Sequence, residues 1–258
     1  MSRKVPVYSL DGEVAGEVEL PTLFNLTPRI DIVRRAFLAY FTSQKQPQGR
    51  DPLAGKKVSV ESFGTGREMA RIPRHSSGRG GFAPMTRGGY KPHPPRVDKK
   101  IKERINSKEK RLALLSAIAS TADYESVVKR GHSFDKAALK KLPIVLVDDV
   151  EKLAHTREAV FLLQKLGVYM DVERVKGGVK IRAGKGKLRG RRLKRKVGPL
   201  IIFSSGRAPA IKAFRNIAGV DAVGVDGLNI GLVAPGGVPG RLTIWSKKAL
   251  MSISGWSR

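Results

Sequence analysis

Residues 143–150 read Pro143-Ile-Val-Leu-Val-Asp-Asp-Val150. Four apolar residues in a row, three of them β-branched, predict a strand covered on both faces, because a strand open to water on one side alternates. A helical period follows at once over 156–166. Val160, Leu163 and Leu166 recur on one face, and Gly167 stands where a helix C-terminus places glycine. The alternation continues toward the C-terminus. Strands are expected over 168–172, at Leu200-Ile-Ile-Phe203, over 220–225 and 229–233, and at Leu242-Thr-Ile-Trp245, with a helix over 209–216. Strand–helix alternation of this kind implies an α/β fold: a three-layer α/β/α body with a mostly parallel sheet.

Toward the N-terminus, two alternating runs over 5–20 flank Asp11-Gly12, a strong hairpin signal. Thr27-Pro28 reads as an N-cap with proline in the first helical position. The helix predicted there runs to about Ser43, with Ile30, Val33, Phe37, Tyr40 and Phe41 on its core face. A second helix is expected after Asn106, capped by that residue and by Glu109 three residues on. Leu112, Leu115, Ile118, Ala119 and Ala122 form its buried stripe. A short strand is expected over 58–63. The body therefore comprises 1–43 and 97–258, and residues 44–96 form a long extended basic loop inserted near the N-terminus. Both its ends are anchored in the body.

That loop is most irregular over 64–96, which hold seven glycines, five prolines, seven Lys/Arg and one acid, Glu68. Few large apolar side chains are available to offset the entropy of ordering it. The bland reading is a solvating basic linker. Against it stand Arg67, Arg71, Arg74, Arg79 and Arg87, suited to bidentate phosphate contact. His75, Phe82, Tyr90 and His93 are interleaved among them as flat rings able to stack on bases. The segment is expected to order when threaded into RNA.

Formal net charge is +28 over 258 residues, and its distribution is uneven. Residues 41–111 hold 18 bases and six acids; residues 174–196 hold twelve bases and no acid; residues 1–40 and 112–173 are near neutral. Two cationic islands beside neutral folded segments form the footprint of a nucleic-acid binder. The second island is expected as a surface loop or flexible hairpin. It reads as phosphate contact in preference to a localisation-type or nonspecific patch. Neither island has the strong apolar face of a membrane-surface helix.

The chain has no cysteine, which excludes disulfides, thiol catalysis and Cys-type zinc sites. No run of about 18 apolar residues predicts a transmembrane helix, and the N-terminal apolar stretch is too short for a signal peptide. A cytoplasmic protein is expected. The four histidines lack metal-ligand spacing, and no phosphate-loop, dinucleotide or nucleophile-elbow motif occurs. Asp148-Asp149 stand at the carboxyl end of a buried strand, where α/β enzymes place catalytic acids; a strand-end turn and helix cap is the favoured account. The alternatives to an RNA-binding structural protein are an RNA-modifying or RNA-cleaving enzyme using Asp148 and Asp149, and a chromatin-type packaging protein. No catalytic residue, cofactor, metal, membrane or small-molecule substrate is expected.

The ordered motifs are Gly64-Thr-Gly-Arg67, Arg71-Ile-Pro-Arg74, Gly80-Gly-Phe-Ala-Pro84, Arg87-Gly-Gly89 and His93-Pro-Pro95, closing with Ala234-Pro-Gly-Gly-Val-Pro-Gly-Arg-Leu-Thr243. Over essentially its whole length the chain resembles the family of ribosomal protein four of the large subunit, in its archaeal and eukaryotic branch. The resemblance implies a primary binder of large-subunit rRNA, acting early in assembly and contacting several rRNA domains. Its loop lines the polypeptide exit tunnel, with the α/β body on the outer side of the subunit. Neighbouring ribosomal proteins and the nascent polypeptide are the other implied partners. Carried onto this chain, rRNA contacts fall in the loop to Arg67, Arg71, Arg74, His75, Arg79, Phe82, Arg87, Tyr90, Lys91 and Arg96. In the second island they fall to Lys185, Lys187, Arg189, Arg191, Arg192, Lys194, Arg195 and Lys196.

Overall fold

At Gly12 the backbone adopts φ +83°, and the chain reverses there between β1 (Lys4–Tyr8) and β2 (Val14–Glu19), which pair antiparallel. In the computed structural model, which describes residues 3–135, 139 and 141–257, the next elements are α1 (Ile30–Ser43), α2 (Ser107–Ala119), α3 (Tyr124–Arg130), β3 (Ile144–Leu146), α4 (Thr156–Lys165) and α5 (Tyr169–Gly177). A two-stranded ribbon follows, β4 (Lys180–Ile181) with β5 (Leu193–Lys194). Then come β6 (Leu200–Phe203), α6 (Ala210–Arg215), β7 (Asp221–Gly224), α7 (Ile230–Val233), β8 (Thr243–Ser246) and α8 (Lys247–Ser252).

The main sheet has six strands in the order β2-β1-β3-β8-β6-β7. Every pairing from β1 to β7 is parallel. Its central strands are buried on both sides, and the period of two divides them between two cores. Val145, Leu200, Ile202 and Trp245 face one core with α1, α2, α7 and α8, through Val33, Ala117, Ile118, Val233 and Leu250. Ile144, Leu146, Ile201, Phe203 and Ile244 face the other with α3 to α6, through Val127, Leu163, Val172 and Phe214. Helices on both faces of a mostly parallel sheet make the three-layer α/β body.

Two predicted strands are helices. Over 168–172, Val168 precedes α5, and Val168, Val172 and Val175 are all fully buried at a spacing of four and then three residues. That is a helical stripe, which a short apolar window does not separate from a strand. Over 229–233, the Asn229 carboxamide accepts from the Leu232 N–H at 3.1 Å, capping the single turn of α7. Nor is 58–63 a strand: its only ladder contact is an isolated bridge from Glu61 to Arg74.

Helix α1 starts at Ile30, two residues beyond Pro28. Its buried face is Val33, Ala36 and Ala39, while Ile30 and Phe41 are exposed. The small residues let α1 approach its neighbours, while Tyr40 is half-buried and packs against the core. In α2, Ala113, Ala117 and Ile118 are buried and Leu112 is exposed. The capping box at its start does not form: Asn106 makes no side-chain cap, and Glu109 pairs with Arg35 at 3.2 Å instead.

By contacts the chain divides into two compact units, Met1–Phe41 with Arg104–Arg258, and Thr42–Glu103. The first is the α/β body.

Candidate nucleic-acid interface

The unit Thr42–Glu103 has no helix or strand among its described residues apart from the last turn of α1, yet it is not structureless. Glu61 and Arg74 exchange both backbone hydrogen bonds, at 3.2 and 2.9 Å, and the Gly81 N–H donates to the Pro73 carbonyl at 3.0 Å. A tight turn joins them: the His75 N–H donates to the Arg79 carbonyl and the Gly78 N–H to the His75 carbonyl, both at 2.9 Å. Beyond it, residues 83–90 close a small loop in which the Thr86 hydroxyl donates to the Ala83 carbonyl at 2.7 Å. Val60 and Ala83 are buried. The segment is packed through backbone. A Cβ on Gly89 would lie 2.2 Å from the Ala83 carbonyl oxygen, and one on Gly81 would lie 2.6 Å from Val60.

Backbone packing leaves the side chains outside. Arg67, Arg71, His75, Arg79, Phe82, Arg87, Lys91 and Arg96 are exposed, Phe82 by 70% and the neighbouring Met85 by 81%. Arg67 lies over the Phe63 ring, 5.1 Å from its centroid. Two of the expected contacts are differently placed. Arg74 is half-buried and donates to the Gly78 carbonyl at 2.7 Å, bracing the turn from inside. Tyr90 is half-buried beneath Lys56, whose Nζ is 4.6 Å from the ring centroid. Among the described residues, no base between 64 and 96 pairs with a carboxylate.

The second island begins inside α5, and its first member is not available to a partner. Arg174 donates to Asp171 at 2.8 Å and to the Val197 carbonyl at 2.7 Å. Asp171 is fully buried and also accepts from the Ser133 N–H and from His132 Nδ1, both at 2.9 Å. Burial holds the His132 pKa below its ordinary value, against the pull of Asp171. The imidazole is therefore neutral and donates through Nδ1. Burial pushes the Asp171 carboxyl up, but the hydrogen bonds from His132 and Arg174 outweigh it and the net shift is downward.

Beyond α5 the island is a hairpin built on its backbone. The Arg182 N–H donates to the Arg192 carbonyl at 2.7 Å, and the Arg182 guanidinium folds back onto the Arg191 carbonyl at 2.9 Å. Lys185 and Lys187 stand on a 3-10 turn at its end. Those two, with Arg189, Arg191, Arg192, Lys194, Arg195 and Lys196, are exposed. Among the described residues, no base from 176 to 196 makes an ion pair. Sequence reasoning left out Lys180, opposite Lys194 in the ribbon, and Arg50 and Lys56, which precede the glycine-rich stretch it concentrated on.

The two aspartates at the end of β3 serve the fold. The Asp148 carboxylate accepts from the Lys248 N–H at 2.7 Å, holding the start of α8, and Asp149 pairs with Lys152 at 2.8 Å in solvent. Glu151 accepts from Ser204 and Ser246. Burial raises its pKa, but those hydrogen bonds outweigh burial and lower it overall. Among the described residues, no group of three or more His, Cys, Asp or Glu could hold a metal ion.

Residues 18–256 match the model of the ribosomal protein L4/L1 family. The chain belongs to this family. Several archaeal proteins named large ribosomal subunit protein uL4 are similar to it over nearly its full length. The one from Pyrobaculum aerophilum is 49% identical over 98% of this chain and 90% of its own. One from Saccharolobus islandicus is 50% identical, covering 95% and 91%. That of Saccharolobus solfataricus is 48% identical, covering 97% and 93%. A member of the family is a structural component of the cytoplasmic ribosome rather than an enzyme, so the aspartates need no catalytic account. No described helix is long and apolar enough to cross a membrane.

Proposed function

We propose that this ribosomal protein is a primary binder of large-subunit rRNA that enters the particle early in assembly. It belongs in the large subunit, with rRNA and other ribosomal proteins as its partners. Its Thr42–Glu103 unit reaches inward to line the polypeptide exit tunnel beside the nascent chain. The observation that supports this most is the concentration of exposed bases, without carboxylate partners, on two segments that are packed through backbone. Such a cation has no internal use for its charge. Set against phosphodiesters, each displaces condensed counterions and gains charge-assisted hydrogen bonds.

In this reading Arg67, Arg71, Arg79, Arg87, Lys91 and Arg96 contact phosphates or base edges, while His75, Phe82 and Tyr90 offer rings to unstacked bases. Arg74 shapes the turn that presents them. Lys185, Lys187, Arg189, Arg191, Arg192, Lys194, Arg195 and Lys196 take phosphates of a second RNA segment, so one chain ties together separate parts of the rRNA.

Titration of the full chain against large-subunit rRNA at increasing salt tests the electrostatic core of the proposal. The expected log–log slope is more negative than about −5; a flat response overturns it. Removal of residues 64–96 is expected to leave the body folded by circular dichroism and to stall subunit assembly on gradients. If the body unfolds, the unit belongs to its core and the proposed division of labour is wrong.

A further inference from the structure

Two passages of the Thr42–Glu103 unit, residues 49–56 and 89–98, run against each other. They are fixed at three points. A Cβ on Gly49 would meet Val97 at 2.7 Å. The Arg50 N–H donates to the Pro95 carbonyl at 3.0 Å. Gly55, at φ +83°, lies against the Gly89–Tyr90 peptide, where a Cβ would come within 2.7 Å of backbone. Close approach at both ends leaves a cleft of about 450 Å³ between them. Its lining includes Arg50, Lys56, Tyr90, Pro94, Arg96 and Asp98. Three cations, one aromatic ring, two rigid prolines and one carboxylate thus face the same space.

That inventory matches a single nucleotide. The volume falls in the range of small-ligand pockets, about 300–1,000 Å³. A phosphate is met by guanidinium and ammonium groups, and a base by the Tyr90 ring, which the Lys56 ammonium holds at 4.6 Å. The Arg50 guanidinium is tied only loosely, by one 3.5 Å contact to the Gly89 carbonyl, so most of its donors remain for a ligand. Asp98 accepts what a phosphate cannot offer, a ribose hydroxyl or an exocyclic amine. A paired duplex keeps its bases stacked inside and cannot fill such a cleft, whereas an unpaired RNA nucleotide can be splayed out into it.

We propose that this cleft is a capture site for one unpaired nucleotide of RNA, with Tyr90 stacking on the base and Arg50, Lys56 and Arg96 holding its phosphates. This rests on the RNA-binding reading above and assigns Arg50 and Lys56 a part in it.

The test uses the full chain and two probes, large-subunit rRNA transcribed from Saccharolobus solfataricus and a fully paired RNA duplex. Replacing Tyr90→Leu is expected to weaken rRNA binding roughly 5- to 100-fold, with the salt slope unchanged because no charge is lost. Duplex binding should move less than twofold, and Tyr90→Phe should restore rRNA affinity. Ultraviolet crosslinking of the wild-type complex should leave a nucleotide adduct on the peptide containing Tyr90. Equal losses on both probes, or adducts at Phe82 with none at Tyr90, overturn the capture site and leave general RNA binding standing. A wild-type chain that does not bind the rRNA overturns the parent reading as well.

Discussion

The α/β body and the Thr42–Glu103 unit meet the same requirement, a buried and hydrogen-bonded backbone, by opposite means. The body does it with side chains: β3, β6 and β8 bury every residue, and helices on both faces seal them. Even the one arginine fully buried among its described residues is spent inside. Arg241 donates to the Gly198 and Leu232 carbonyls at 2.9 and 2.7 Å and to Asp221 at 2.6 Å. The other unit packs backbone on backbone through glycine and turns its large side chains outward. One arrangement maximises stability of the free protein. The other holds charge and rings ready for a partner, and draws little stability from them.

The contrast is sharpest in a pair of truncations. Trp245 is fully buried in the sheet and meets the Phe24 ring edge-on at 6.3 Å, so Trp245→Ala should cost about 3–5 kcal/mol in denaturant unfolding. Met85 is also large and apolar, but it is 81% exposed in the second unit. Met85→Ala should change stability by less than about 0.5 kcal/mol. Comparable losses from the two would mean that the second unit is built like the first.

A medium effect separates them by pH. His132 is buried and its folded pKa lies below the ordinary 6.5. As pH falls through about 6.5 the unfolded chain therefore takes up a proton before the folded one does. Stability is complete above that pH and is lost below it, down to the folded pKa. Asp171 acts in the same direction at lower pH, because its folded pKa is also depressed, below 3.8. The body should weaken by up to about 1.4 kcal/mol per pH unit as pH falls below 6.5 toward the folded pKa. His132→Gln should lower stability at pH 8 and flatten that slope. An unchanged slope would place the titrating group elsewhere.

Much of the body was legible because two-sided burial erases alternation: Ile144 to Val147 and Leu200 to Phe203 have no polar residue to misplace. The failures lie where a short apolar run fits two periods, as in Val168, Val172 and Val175, or where a side chain decides, as Asn229 does by capping α7. The internal order of the second unit was illegible for a different reason. Gly55, Gly81 and Gly89 make its contacts through backbone, and backbone contacts leave no hydrophobic signature. The cations were legible as charge, but their employment was not. Arg174 and Arg192 look alike in sequence, yet the buried Asp171 one helical turn away commits the first to the fold, while the second stays in solvent. The nucleotide-sized cleft joins residues about forty positions apart and has no local motif.

The smallest effect sharpens the contrast within one residue. Lys180 and Lys194 stand directly opposite each other in the β4–β5 ribbon, and like charges across a ladder destabilise it. A two-residue ribbon has little else to hold it. Lys194→Glu turns repulsion into attraction and should stabilise the ribbon of the free protein by about 0.2–1 kcal/mol. Hydrogen exchange at the Arg182 amide, which donates to the Arg192 carbonyl at 2.7 Å, should slow by up to about fivefold. The same change should weaken rRNA binding and make the salt slope less negative by roughly 0.7–0.9. In the sheet and helices around the two cores, a substitution that strengthens the fold has no reason to harm function. Here stability and binding should move in opposite directions, because the repulsion in the free ribbon is relieved by phosphate. If exchange accelerates, or binding is unmoved, the ribbon's charge serves its own structure and the second cationic segment loses its claim on RNA.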